Sequence, residues 1–156
     1  MGTDKNKVKV QIREATLTDL PQLCGLLGLL FAQEADFKPD AERQARGLSM
    51  IIEKTEIGRI YCAVLESSIV GMVSILYTVS TAEGGRAAWM EDMVVHPDWR
   101  GHRIGEQLLQ SAAEKAREAG CSRITLLTDA DNGAAIRFYS RAGFTRSSMI
   151  PLRLKL

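Results

Sequence analysis

Near the start of the chain apolar Val8, Val10 and Ile12 alternate with polar Lys9, Gln11 and Arg13, a period of two that predicts a strand with one buried face. The period then changes. Thr18-Asp19-Leu20-Pro21 offers a cap and an early proline, and Leu20, Leu23, Leu27 and Leu30 or Phe31 recur at helical spacing, which predicts a helix over about 19–34. After a loop at 35–39, Asp40 can cap a second helix that carries Leu48, Ile51 and Ile52 and stops before Gly58. Two β-rich runs, 60–65 and 69–78, are joined by Glu66-Ser67-Ser68 and predict an antiparallel pair. A loop at 80–85 leads into a central strand over 87–95. Over 103–119, Ile104, Leu108, Ala112 and Ala116 share one face, whereas Glu106, Glu114, Lys115, Arg117 and Glu118 lie elsewhere; Gly120 ends this helix. Ile124, Leu126 and Leu127 predict a short buried strand. Asn132 caps a helix that Gly143 ends, and a last strand is expected around 149–154, where Pro151 suits an edge or a bulge. The order β-α-α-β-β-β-α-β-α-β is that of an α/β (α+β) protein with a mixed sheet and helices on both faces.

A length of 156 residues suits one domain, here 8–156 behind a polar, flexible start at 1–7. With 46% apolar and 25% charged residues, disordered and fibrous classes are excluded. Twenty Lys and Arg against nineteen acids leave a net charge of +1, which gives no general attraction to nucleic acid or to an anionic membrane. Cys24, Cys62 and Cys121 lack metal-ligand spacing. They read as buried thiols and, with no signal peptide in view, point to a reducing cytoplasm. The densest apolar run, 26–32, is far shorter than a membrane span and contains Gly28.

The most specific chemistry lies where the apolar run Val94-Val95 passes through His96-Pro97-Asp98-Trp99 into Arg100-Gly101-His102-Arg103-Ile104-Gly105 and a helix. The first N–H groups of a helix have no intrahelical partner and sit at the positive end of its dipole, so this is an anion site. Arg100 and Arg103 add charge, and Gly101 and Gly105 let the backbone approach a ligand. Neither G-x-x-x-x-G-K-[ST] nor G-x-G-x-x-G occurs, which argues against a P-loop nucleotidase and a dinucleotide oxidoreductase. The six residues resemble motif A of the GCN5-related N-acetyltransferases, [QR]-x-x-G-x-[GA], matching at Arg100 and Gly105, with Arg103 in place of the central glycine. That replacement argues against an unusual backbone angle at 103; the side chain can point outward while the N–H faces phosphate. A second stretch, Asn132-Gly133-Ala134-Ala135-Ile136-Arg137-Phe138-Tyr139-Ser140-Arg141-Ala142-Gly143-Phe144, is similar to motif B of the same family, N-x-x-A-x-x-F-Y-x-x-x-G-F, at every specified position. The resemblance covers about 86–148; the front half matches in the order of its elements.

The resemblance implies the acyl-CoA N-acyltransferase fold, acetyl-CoA as co-substrate and a primary amine as acceptor, attacked directly in a ternary complex. By position it assigns the pyrophosphate to Arg100, Gly101, His102, Arg103, Ile104 and Gly105. Backbone contacts to the acetyl and pantetheine portions fall to Met93, Val94 and Val95, and Asn132 takes a position that contacts coenzyme A. It makes Tyr139 the acid for the leaving thiolate, a role open to a phenol that is protonated at neutral pH. Packing alone would also explain adjacent Phe138 and Tyr139. Two acids in an apolar central strand are costly unless paired or used, and alternation puts Glu91 on the face of Met93 and Val95, with Asp92 opposite unless a bulge intervenes. Glu91 is therefore the expected base, with a salt bridge to Arg86 or Arg13 as its structural alternative. Asn132 equally suits a helix cap, and Arg137 and Arg141 read as solvated. His96 and His102 lack the companions a metal site needs, so no metal is expected.

A small-molecule amine is the leading acceptor and a protein amine the next, recognised by the first two helices and the loops at 35–40 and 80–85. The run 90–95 is similar to the corresponding strand of hexosamine-phosphate acetyltransferases. No nucleic-acid or membrane partner is expected, and a homodimer is open. The alternative from another class is a noncatalytic acyl-CoA-binding sensor or regulatory module.

Overall fold

A computed structural model describes residues 6–33 and 38–156. Five strands form one sheet in chain order: β1 (Gln11–Glu14), β2 (Gly58–Leu65), β3 (Ser68–Ser80), β4 (Gly85–Val95) and β5 (Ile124–Leu126). The first three pairings are antiparallel, and β4–β5 is parallel. Helices α1 (Leu20–Phe31) and α2 (Ala41–Glu53) precede β2; α3 (Ile104–Glu118) and α4 (Gly133–Arg141) flank β5.

The two faces have separate cores. On one, Leu23, Leu26 and Leu27 of α1 and Leu48 of α2 pack with Ile60, Cys62, Met72 and Val94 from the sheet. On the other, Ile104, Leu108, Ala112 and Ala116 of α3 pack with Tyr61, Val73, Ile75, Ala88 and Met90. Neighbouring strand residues thus point into different cores, as a pleat requires. Gly58 lets β2 and β3 approach closely, since a Cβ there would collide with the carbonyl oxygen of Ile75. Arg13 ties β1 to the start of α1 through two hydrogen bonds to the buried Asp19 carboxylate, at 2.7 and 2.9 Å.

The anticipated helix signals operate as local chemistry dictates. Asp40 accepts from the Arg43 N–H at 3.1 Å, Asn132 accepts from the Ala135 N–H at 3.1 Å, and Gly120 and Gly143 take positive φ just past α3 and α4. Other expectations change. The first strand shortens to four residues, because Val8 and Val10 turn to the start of α3: the Val8 N–H donates to the His102 carbonyl at 3.1 Å. Helix α1 stops at Phe31, and residues 34–37, with Glu34 and most of the 35–39 loop, lie outside the described residues, as do residues 1–5. β3 and β4 run on into the expected 80–85 loop and leave a turn at 81–84. Of the three thiols only Cys62 is fully buried, and burial pushes it up to about 12; Cys24 and Cys121 are half-buried.

The last expected strand does not form: residues 145–156 are irregular and almost wholly exposed. Alternation encodes a capacity to pair, but among the described residues 145–156 join no ladder of the sheet. No helix among the described residues is long and apolar enough to cross a membrane.

Candidate acetyl transfer site

β4 is paired on both sides only as far as Met90, which lies opposite Leu126. There β5 ends, and β4 continues through 91–95 with β3 as its sole strand neighbour among the described residues. The sheet therefore splits between β4 and the β5–α4 connection. Met93 and Val95 pack on the same core as Phe138, Tyr139 and Phe144. At the inner end of the split, a Cβ on Gly105 would lie 3.3 Å from Phe138 Cζ and 3.6 Å from Met93 Cε. The last glycine of the loop thus permits α3, β4 and α4 to converge.

The bulge expected only as an exception is present. Between Met72↔Val94 and Ser74↔Glu91, Val73 alone faces the two residues Asp92 and Met93, and Asp92 takes φ +52°. This reverses the alternation. Ala88 and Met90 face the α3 core before the bulge, and Met93 and Val95 face it afterwards. Glu91, opposite Ser74 and one residue from Met90, lies on the α1/α2 face. The expected placement of Glu91 beside Met93 and Val95 is therefore corrected: the extra residue puts them on opposite faces. Asp92 reaches the face of Glu91, because the fully buried Ser74 hydroxyl donates to its Oδ2 in a long hydrogen bond of 3.5 Å. Glu91 is exposed and Asp92 half-buried. The salt-bridge partners considered for Glu91 are engaged elsewhere: Arg13 with Asp19, and Arg86 over the Tyr77 ring at 4.6 Å from its centroid.

After β4 the chain makes a short 3₁₀ turn, Pro97–Trp99, in which His96 Nδ1 accepts from the Asp98 N–H at 3.2 Å. Arg100 folds back and its Nε donates to the Val95 carbonyl at 3.2 Å, while Gly101 takes φ +81°. Arg103 adopts φ +60°, ψ +23° immediately before α3. The sequence expectation of an ordinary angle at this position is thus overturned; the loop keeps a left-handed turn, which an arginine adopts only at some cost. Its guanidinium pairs with Glu106 at 2.6 Å and points along the helix surface. The first helical bond in this region runs from the Gln107 N–H to the Arg103 carbonyl, so the N–H groups of 104–106 lie ahead of the ladder. The His102 ring packs 6.0 Å from Trp99, and its carbonyl anchors Val8.

Tyr139 stacks edge-on between Phe138 and Phe144, with ring centroids 5.2 and 5.6 Å away. Burial raises its phenol above the usual value, so it is protonated at neutral pH. Asn132 is exposed at the start of α4 with Oδ1 engaged as the cap. Between α3 and α4 runs an open cleft of about 530 Å³ lined by Arg103, Glu106, Leu109, Phe138, Arg141 and Phe144.

The chain matches the acetyltransferase (GNAT) family over residues 23–144. It is a member of that family. Relatives of this GNAT chain include an aminoalkylphosphonate N-acetyltransferase of Salmonella typhimurium, 30% identical over 88% of this chain and 86% of the relative. A glucosamine 6-phosphate N-acetyltransferase of Trypanosoma brucei brucei is 31% identical over 64% of this chain and 66% of its own length. The fold superposes on the solved structure of an integron cassette protein from a salt-marsh metagenome with a TM-score of 0.82 and 27% identity, covering 94% and 90% of the two chains. GNAT acetyltransferases use acetyl-CoA as co-substrate, and the chain is an acyltransferase of that type.

Sequence reasoning passed over two groups in this region. Ser74 carried no motif, and only its register opposite Glu91 reveals it. Arg141, read as solvated, lines the cleft beside Arg103, four residues from Arg137 on an exposed helix face where spacing alone could not show a facing cleft.

Proposed function

We propose that this chain transfers the acetyl group of acetyl-CoA to the primary amine of a small molecule by direct attack in a ternary complex. The observation that carries the reading is the parting of β4 from β5 after Met90, which leaves one strand edge open beside a helix start.

The residues fit the co-substrate. Positive φ at Gly101 and Arg103 turns the backbone at the mouth of α3, and a Cβ at Gly101 would meet nothing within 4 Å, so the approach is open. The N–H groups of 101–106 are the donors for the pyrophosphate, with the helix dipole behind them. Arg100, Gly101, His102, Arg103, Ile104 and Gly105 serve chiefly through their backbone, and Met93, Val94 and Val95 offer theirs along the open edge. Asn132 acts through the cap it provides to α4. When bound, acetyl-CoA supplies an activated thioester carbonyl.

Tyr139 holds a proton on Oη at neutral pH and is the acid for a departing thiolate. Glu91, before the bulge, and Asp92, within it, share the face of α1 and α2, where they draw an ammonium group and accept its proton directly or through water. Ser74 orients Asp92 from behind. Both relatives named above act, by their names, on a primary amine that also carries a phosphonate or phosphate; acceptors of that kind are the first choice for this chain.

The test is thiol release from acetyl-CoA measured with a panel of aminoalkylphosphonates, amino-sugar phosphates, polyamines and lysine peptides. Release that depends on a small amine is the expected outcome. Binding of acetyl-CoA with no amine-dependent release across the panel would instead identify a noncatalytic module.

A further inference from the structure

Among the described residues Trp89 is the one exposed aromatic side chain, at 37%, and it belongs to neither core. Tryptophan is highly buried on average, so an indole left in water on a central strand calls for a reason. Its surroundings are specific. Met90 and Ile75, paired across β4 and β3, face the α3 core, so Trp89 and its partner Leu76 face the α1/α2 side. The core under α1 and α2 takes Met72 and Val94 from these strands and does not extend to Leu76 or Trp89. Thr125 of β5 stands opposite Trp89 on its other side, and exposed Leu127 follows just past the end of that strand. Leu76, Trp89 and Thr125 thus form an uncharged strip across three strands, next to the row that carries Ser74 and Glu91.

We infer that the Trp89 indole is the platform for the body of the acceptor, and that it selects primary amines carried on or beside a ring over linear amines of equal charge. The inference rests on the acetyl-transfer reading above. Glu91 lies two residues beyond Trp89 on the same face, about 6.6–6.8 Å along the strand, and Asp92 shares that face. A molecule whose nitrogen meets these carboxylates therefore has the indole within reach of its remaining atoms. The parting of β4 from β5 begins just past Met90, so the platform ends where the open edge starts.

The chemistry divides the acceptor between the two rows. The attacking nitrogen must be neutral, and the face of an indole stabilises a cation. An ammonium seated on Trp89 would be held in its unreactive form, so the reacting nitrogen belongs with the carboxylates and the indole takes what is attached to it. A second, distant ammonium is poorly served there as well, because sites for such cations surround them with several aromatic rings, whereas Trp89 has Leu76 and Thr125 beside it. A flat ring fits this strip. A sugar offers a row of C–H groups and an aryl ring its π face, and either covers the indole in one contact. A short linear amine covers less of it and also loses chain rotations on binding.

The test uses the full chain and three amines. Glucosamine 6-phosphate and phenylethylamine carry a ring, one a sugar and the other an aryl group; 2-aminoethylphosphonate is linear. Thiol release from acetyl-CoA is expected to give a kcat/KM at least about tenfold higher for one of the ring amines than for the phosphonate, and the preferred ring distinguishes the sugar from the aryl source. Trp89→Ala is expected to raise KM for that ring amine about tenfold, to leave the phosphonate within about twofold, and to be largely rescued by Trp89→Phe instead. A second readout needs no turnover. The chain has two tryptophans, so with Trp99→Phe as background Trp89 alone emits; in the presence of coenzyme A the preferred ring amine should shift that emission to the blue and the phosphonate should not. A preference for the phosphonate, an equal loss for all three amines in Trp89→Ala, no loss for any, or an emission that neither ring amine moves would each overturn the platform while acetyl transfer stands. If no amine releases thiol, the transfer reading fails, and the emission decides the platform by itself: a shift specific to a ring amine keeps it, and silence overturns it.

Discussion

The two halves of β4 obey different rules. Residues 85–90 alternate regularly, with Ala88 and Met90 buried in the α3 core, and are held by β3 on one side and β5 at 88–90 on the other. Residues 91–95 keep β3 alone, contain the bulge and the left-handed Asp92, and change which face each side chain meets. In the first half the backbone polar groups serve the sheet. In the second half those directed toward β5 have no strand to meet, and a buried or half-buried backbone group without a partner is unfavourable until something supplies one. The proposed site lies where pairing is given up, and the intact half fixes the geometry of the open one.

Changes to the two halves should therefore separate stability from turnover. Met90→Ala, in the paired half, is expected to cost about 2–5 kcal/mol by leaving a cavity and to lower the melting temperature by roughly 5–15 °C. Turnover of the folded protein at 25 °C should stay within about twofold; a tenfold loss there would show that the halves are not separable. Tyr139→Phe should do the reverse. The expected fall in kcat is about 100-fold, near 2.7 kcal/mol, with acetyl-CoA affinity kept, and single-turnover kinetics would reveal an unchanged rate if the phenol is only packing.

Asp19 supplies a control remote from both halves. Its hydrogen bond with Arg13 holds its carboxyl down to about 2, below the ordinary 3.8, despite burial. A depressed pKa means stability that is present above pH 4 and lost as the pH falls through about 2. Asp19→Asn should remove about 2 kcal/mol at pH 7 and flatten the acid limb of the stability curve, leaving kcat alone; denaturant titrations from pH 2 to 7 measure both. The smallest effect belongs to Arg103→Gly. Glycine accepts φ +60° without strain and the lost Glu106 pair is exposed, so stability should change by no more than about 1 kcal/mol. Acetyl-CoA affinity should hold within a few-fold if the loop works through its N–H groups, and calorimetry would expose a larger contribution from the guanidinium.

Which parts of this arrangement were legible in the sequence follows the same division. Helix caps at Asp40 and Asn132 and the stops at Gly120 and Gly143 depend on neighbours within a few residues, and each was readable. Glu91 was assigned to the wrong face because period-two counting assumes an unbroken ladder, and the extra residue at 92–93 is decided by how β3 and β4 register across the sheet. Arg103 was expected in an ordinary conformation because residue type favours it, yet the strand-to-helix corner imposes the turn. Val8–Arg13 and 149–156 carry the same alternation, but β2 and the Val8–His102 bond hold the first, and only the structure shows that among the described residues no strand pairing holds the second.

In the proposed reading, the open half of β4 and the loop after it hold acetyl-CoA through backbone groups. Amide hydrogen exchange with and without acetyl-CoA, with ATP and NAD as controls, tests it most directly. Slowed exchange at 91–95 and 101–106, specific to acetyl-CoA and absent from 85–90, is the predicted result. Exchange unchanged at both segments, or slowed equally by ATP, would contradict the account.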